Sequence, residues 1–176
     1  MTDGNFMVKN LGELETNSTC QYWFQDTIYR NGTLYALSPG YRLHENHQQV
    51  MDGNIYRYNP QTGTGEFFSL DVLAASQMFD LGNGLAAVVH KGEGYQPAGV
   101  TVFNLETCAQ HFVQWSSENL PDDDAISDVK LLDDSTILIL TMHQLIGLDL
   151  NEQRVRFQMD FPDPEFSPIH LWIRQN

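Results

Sequence analysis

The chain has 176 residues, enough for one domain with a substantial core, and its 41% apolar and 11% aromatic content excludes a disordered polymer. It carries 23 acids against 9 bases, a formal charge of −14. With those bases scattered, neither nucleic-acid phosphates nor an anionic membrane surface is an expected partner.

Taken in chain order, residues 1–20 form an N-terminal segment without the cationic and apolar blocks of an export signal, so a cytoplasmic chain is expected. Asn5–Leu11 within it is a candidate closing strand. Strand signals follow at Tyr22–Tyr29 and Thr33–Leu37 around the turn Arg30-Asn31-Gly32. A polar loop, Ser38–Gly53, leads to strands Asn54–Tyr58 and Glu66–Leu70. The next set is Gln77–Leu81, the turn Gly82-Asn83-Gly84, Leu85–His90, a loop Lys91–Ala98, Gly99–Phe103 and Gln110–Trp115. A third set is Ile126–Leu132, the turn Asp133-Asp134-Ser135, Thr136–Thr141, Leu145–Asp149 and Arg154–Phe161. The second strand of each later set (Leu85–Val89, Ile137–Leu140) is continuously apolar, as a strand covered on both faces would be. Pro168–Arg174 alternates Ile169, Leu171 and Ile173 with His170, Trp172 and Arg174, and reads as the opening strand of a further unit. Cys20 and Cys108 form no CxxC pair and are expected as reduced thiols. The sequons at Asn17 and Asn31 read as turn residues.

The three sets superimpose at a fixed spacing of 45 residues, anchored on Asn59, Asn104 and Asp149. Each anchor follows Tyr58, Phe103 or Leu148, has Ile55, Val100 or Leu145 four residues earlier, and has Phe67, Phe112 or Phe157 eight residues later. A period of this size fits one four-stranded propeller blade. The chain then divides into 1–20, blades at 21–70, 71–115 and 116–160, and 161–176 as the start of another. The anchors are expected to cap equivalent turns. The three Phe residues are expected to be buried, each losing about 3–5 kcal/mol on change to Ala.

The stretch Asn31-Gly32-Thr33-Leu34-Tyr35-Ala36-Leu37, followed by Gly53-Asn54-Ile55-Tyr56-Arg57-Tyr58-Asn59-Pro60-Gln61-Thr62-Gly63, resembles the repeat of quinoprotein-type propellers. Its Tyr56–Thr62 portion is also similar to kelch repeats. The second and third repeats depart from that pattern, with Thr107-Cys108 and Glu152-Gln153 in place of Thr62-Gly63. The resemblance implies a propeller blade; the cofactor-binding residues of the quinoproteins are missing, so it implies no quinone. The expected fold is therefore all-β and propeller-like: three four-stranded antiparallel blades plus terminal strands, an incomplete ring in one chain. Three blades fall short of the four to eight of a closed ring, and the unpaired ends predict a homodimer.

Loops joining second to third strands share one face of a propeller with the inter-blade loops. That face is expected to hold His44, His47, His90 and His143, together with Glu118, Asp122, Asp123, Asp124, Asp163 and Glu165. Two functional readings follow. In the first the chain is a non-catalytic scaffold that binds a protein or small molecule, with Tyr41, Arg42, His44 and His47 of the long loop and the Asp122–Asp124 run as its surface. In the second, His44, His47, His90 and His143 hold a divalent metal and the protein is a hydrolase or lyase. A third, structural reading is a subdomain completed by a partner chain. No cofactor other than such a metal is indicated. Nucleophile elbows and phosphate-binding glycine loops are missing from the sequence.

Overall fold

The computed structural model describes residues 20–92, 97–115, 125–161, 168 and 170–173. Asn5–Leu11 and Asp122–Asp124 lie outside them. Among the described residues all regular structure is β, and no helix is long and apolar enough to cross a membrane.

Sheet I contains β1 (Cys20–Trp23), β2 (Asp26–Arg30), β3 (Thr33–Leu43), β4 (Gln49–Asn59) and β5 (Thr64–Ser69). β1 and β2 lie end to end along β3, so the sheet is four strands wide. Sheet II is the meander β6 (Ala75–Gly82), β7 (Leu85–Lys91), β8 (Ala98–Asn104) and β9 (Gln110–Gln114). Sheet III repeats it with β10 (Ile126–Asp133), β11 (Thr136–Thr141), β12 (Gln144–Asp149) and β13 (Arg154–Asp160). All pairings are antiparallel. The first hairpins close on Asn31-Gly32 and Asn83-Gly84, whose φ values of 49°, 80°, 51° and 78° are those of a two-residue turn matched to strand twist.

The 45-residue register is structural. Asn59 Oδ1 accepts the backbone N–H of Gln61 and Thr62, Asn104 Oδ1 those of Glu106 and Thr107, and Asp149 Oδ1 those of Asn151 and Glu152. Four residues past each anchor the chain turns left-handed, at Gly63 (φ 71°), Cys108 (φ 60°) and Gln153 (φ 53°). The turn survives the loss of its glycine because the anchor side chain still satisfies two turn donors.

Period-two alternation sends each sheet's residues to two faces. From sheet II, Ala86, Val88 and Phe103 pack toward sheet I, against Ile28, Tyr35, Leu37 and Ile55. Ala87, Val89, Val100 and Val113 pack toward Val129, Ile137, Ile139, Ile146 and Leu148 of sheet III. Sheet II is thus enclosed on both faces, and the row of three sheets does not close into a ring.

Four expectations need correction. Most of Ser38–Gly53 is not loop: β3 and β4 run on as a long hairpin, pairing Gly40 with Met51, Tyr41 with Val50 and Arg42 with Gln49. The Ser38-Pro39-Gly40 sequence that suggests a turn is a bulge, where proline costs no ladder donor. Tyr22–Tyr29 is two strands, divided at Phe24-Gln25, with the Gln25 N–H donating to Leu37 O.

Phe67 and Phe157 are 37% and 42% exposed, not buried. Phe67 pairs with Tyr56 on the outward face of sheet I. In β13, a register shift between Val155 and Phe157 turns Phe157 to the outward face of sheet III, opposite Gly147. Phe112 alone of the three is half-buried, its ring lying over Gly99.

Finally, Pro168 and residues 170–173 are in no strand. The Leu171 N–H and His170 Nδ1 instead meet Asp128 Oδ2 at 2.9 and 2.7 Å, holding this segment to β10.

Candidate functional site

Each sheet has two dissimilar ends. At one lie the tight first-to-second and third-to-fourth strand turns. At the other lie the second-to-third connections, where His44, His47 and His143 sit. In sheet I that connection is the tip of the β3–β4 hairpin, which extends beyond the reach of β5, since β5 pairs only with Asn54–Asn59. β1 supports the extension from the other side, pairing Tyr22 with Tyr41 and Trp23 with Gly40. The Gly40 hydrogen is required here: a side chain would meet the Val50 carbonyl and the Trp23 ring.

The hairpin tip is ordered by its own bonds. The Leu43 N–H donates to Gln48 O, the His47 N–H to Leu43 O, and the Gln48 N–H to Asn46 Oδ1 at 2.8 Å. His47 takes φ 58°, and His44 and His47 are both exposed. Tyr41 and Arg42 precede them on β3 with side chains on opposite faces. The Tyr41 ring lies tilted against Tyr22, with ring centres 5.4 Å apart, and Arg42 is exposed.

His90 sits apart from this group. It is fully buried in β7, with Nε2 2.8 Å from Thr101 Oγ1 and Nδ1 3.0 Å from Leu73 O. Both ring nitrogens are committed to protein partners, and Phe112 packs edge-on to the ring. Burial lowers its pKa, opposed in part by the Leu73 carbonyl, so the imidazole is neutral near pH 7. In this arrangement it is a core residue that joins β7 to β8. Among the described residues, no three His, Cys, Asp or Glu side chains come together as a metal would require.

The opposite end holds a cavity that the sequence reading missed. A pocket of about 620 Å³ opens between sheets I and II, lined among others by Arg30, Tyr35, Arg57, Glu66, Leu105 and Glu106. Arg30 Nη1 lies 3.1 Å from Asp80 Oδ1. Arg57 pairs with Glu66 through Nε and Nη2 and lies 4.8 Å over the Phe68 ring. The available signal was positional. Arg30 and Arg57, two of only nine bases, each stand one or two residues before a turn at this end.

The outward face of sheet I is aromatic. Tyr22, Phe24, Tyr56, Tyr58 and Phe67 form a continuous set with ring separations of 4.5–6.5 Å. The outward face of sheet III carries Leu138, Leu140, Leu145, Phe157 and Met159, as their pairings across β11, β12 and β13 require.

No family model matches the chain, and no curated protein matches it in sequence. Solved structures do. The β-propeller domain of the trilobed protease from Pyrococcus furiosus, described as having an open velcro topology, aligns with a TM-score of 0.53 at 13% identity, over 80% of this chain and 43% of that one. The acylaminoacyl peptidase of Pyrococcus horikoshii aligns with a TM-score of 0.54 at 13% identity, over 81% of this chain and 25% of that one. At these identities the likeness shows the fold: three blades of a β-propeller in an open row. The chain spans less than half the length of that propeller domain.

Proposed function

We propose that the chain is a non-catalytic binding scaffold that forms half of a propeller ring, completed by a second copy. The ring presents its second-to-third strand connections, above all the β3–β4 arm with Tyr41, Arg42, His44 and His47, to a protein or small-molecule partner. The observation that carries this reading is the identity of the two outward faces. Ile55 and Val100, four residues before their anchors, pack on the following sheet, and Leu145 holds that same position on sheet III, after which the described residues form no further sheet. Phe103 and Leu148, one residue before their anchors, pack on the preceding sheet, and Tyr58 holds that position on sheet I, before which the described residues form no further sheet. The two outer faces are therefore the two halves of one blade–blade junction. Two copies placed head to tail would bury both at once, giving six blades and two identical junctions.

Each copy carries −14, so closure works against charge repulsion, and salt should favour the ring. The test is solution mass by light scattering from about 20 mM to about 500 mM salt. The expected result is twice the 20.1 kDa of one chain, with the dimer tightening as salt rises. A single-chain mass at all salt concentrations would overturn the reading. That outcome would favour a second one, in which blades on a different polypeptide complete the ring, in keeping with the partial coverage of the matched propeller domain.

A further inference from the structure

We infer that the pocket between sheets I and II is a binding site for a small zwitterion of the α-amino-acid type. It lies within one chain, at the tight-turn end, and does not depend on how the ring is completed.

The lining holds two cations, Arg30 and Arg57, and two acids, Glu66 and Glu106, with Asp80 beside Arg30 as a third acid. Arg57 spends Nε and Nη2 on Glu66, and Arg30 spends Nη1 on Asp80, which leaves Nη1 of the first and Nε and Nη2 of the second to donate. The Glu66 pair holds Arg57 fully charged and, with the Phe68 ring beneath, fixes the plane of its guanidinium. Glu106 is exposed on the turn after Asn104, beside Gly84, and among the described residues its carboxylate has no salt-bridge partner. Tyr35 is buried in the wall, and burial raises its pKa, so its hydroxyl remains a donor at neutral pH. Leu105 and Tyr35, buried in the core between the two sheets, close the floor of the pocket.

These groups select by charge. A phosphate or dicarboxylate would meet the two arginines but also two glutamates, within a chain of net charge −14. A simple amine would meet the glutamates and two guanidinium groups. A ligand with a carboxylate at one end and an ammonium at the other satisfies both, the carboxylate on the spare donors of Arg30 and Arg57 and the ammonium on Glu106. The cavity is within the size range of small-molecule sites.

The probe is L-phenylalanine, with N-acetyl-L-phenylalanine and L-phenylalanine amide as the two charge-deleted forms, titrated into the full chain and followed by NMR shifts of Gly84, Leu105 and Glu106. L-phenylalanine should saturate with a Kd of about 1 mM or tighter. Each charge-deleted form should bind at least about tenfold more weakly. Glu106→Gln should erase the penalty for N-acetylation and keep the penalty for the amide. Arg57→Gln should do the reverse. Arg30→Gln gives the same readout if the Arg57 variant does not fold. Shifts that fail to saturate by about 10 mM, or penalties that persist unchanged in the folded variants, would overturn the inference.

Discussion

Among the described residues, sheet II has a neighbouring sheet against both faces, whereas sheets I and III each have one against a single face, and the same repeat position carries a different energetic weight in each. Phe103 is fully buried between sheets I and II, and Leu148 is its counterpart one sheet on. Tyr58 is the counterpart one sheet back, half-buried on a face of rings. The comparison teaches that the repeat encodes a junction rather than a blade. Each sheet contributes one face to the sheet before it and one to the sheet after, and a residue's role depends on whether that neighbour is present.

The largest expected effect separates the two situations directly. Phe103→Ala should cost about 3–5 kcal/mol of stability in guanidinium denaturation. Phe67→Ala and Phe157→Ala should cost about 1 kcal/mol each under conditions where the chain is monomeric, because their rings already face solvent. Equal losses for Phe103 and Phe67 would break the comparison.

A second effect belongs to the buried histidine at the heart of sheet II. His90 has its pKa lowered in the folded protein, so the unfolded chain takes up the proton first as pH falls. Its contribution is fully present above the ordinary value of about 6.5 and is lost as pH falls from there toward the folded value, at up to about 1.4 kcal/mol per pH unit. His90→Gln should lower stability at neutral pH but flatten that part of the slope. Identical slopes for the two proteins between about pH 7 and about pH 5 would contradict the assignment.

The smallest effect sharpens the repeat itself. Cys108 and Gln153 adopt the left-handed conformation that Gly63 adopts freely. Cys108→Gly and Gln153→Gly should each stabilise by about 1 kcal/mol, and Gly63→Ala should destabilise by a similar amount, read as shifts in thermal midpoint. Loss of stability in both glycine variants would show that side-chain packing at these turns outweighs backbone strain.

Much of the fold was legible because its signals are local. Asn59, Asn104 and Asp149 cap turns with their own side chains, and Asn31-Gly32 and Asn83-Gly84 turn by backbone conformation alone. The apolar strands Leu85–Val89 and Ile137–Leu140 lie in sheet interiors as their composition suggests. What was not legible depends on neighbours distant in sequence. The β3–β4 arm looks like a loop because Ser38-Pro39-Gly40 has turn chemistry; its pairing with β1, which joins Trp23 to Gly40 and Tyr22 to Tyr41, and with itself across the hairpin shows that it is strand. The face on which Phe157 lies is set by a one-residue bulge in β13 that side-chain spacing cannot reveal. His90 reads as a loop-edge histidine, but its burial comes from Leu73 on the connection from sheet I and Thr101 on the adjoining strand. The Arg30–Arg57 pocket needs two sheets to exist, so no single repeat announces it.

The central claim, that the two outer faces are halves of one junction, has a direct test in two variants measured apart and together. Leu145→Glu spoils the outward face of sheet III, and Tyr58→Glu spoils that of sheet I. In a head-to-tail ring each variant alone has both junctions damaged and should run at the mass of a single chain. An equimolar mixture retains one junction built from two intact faces, so it should regain a measurable fraction of dimer in light scattering. If the mixture stays at single-chain mass while the unaltered chain dimerises, or if either variant alone remains fully dimeric, the ring account is contradicted.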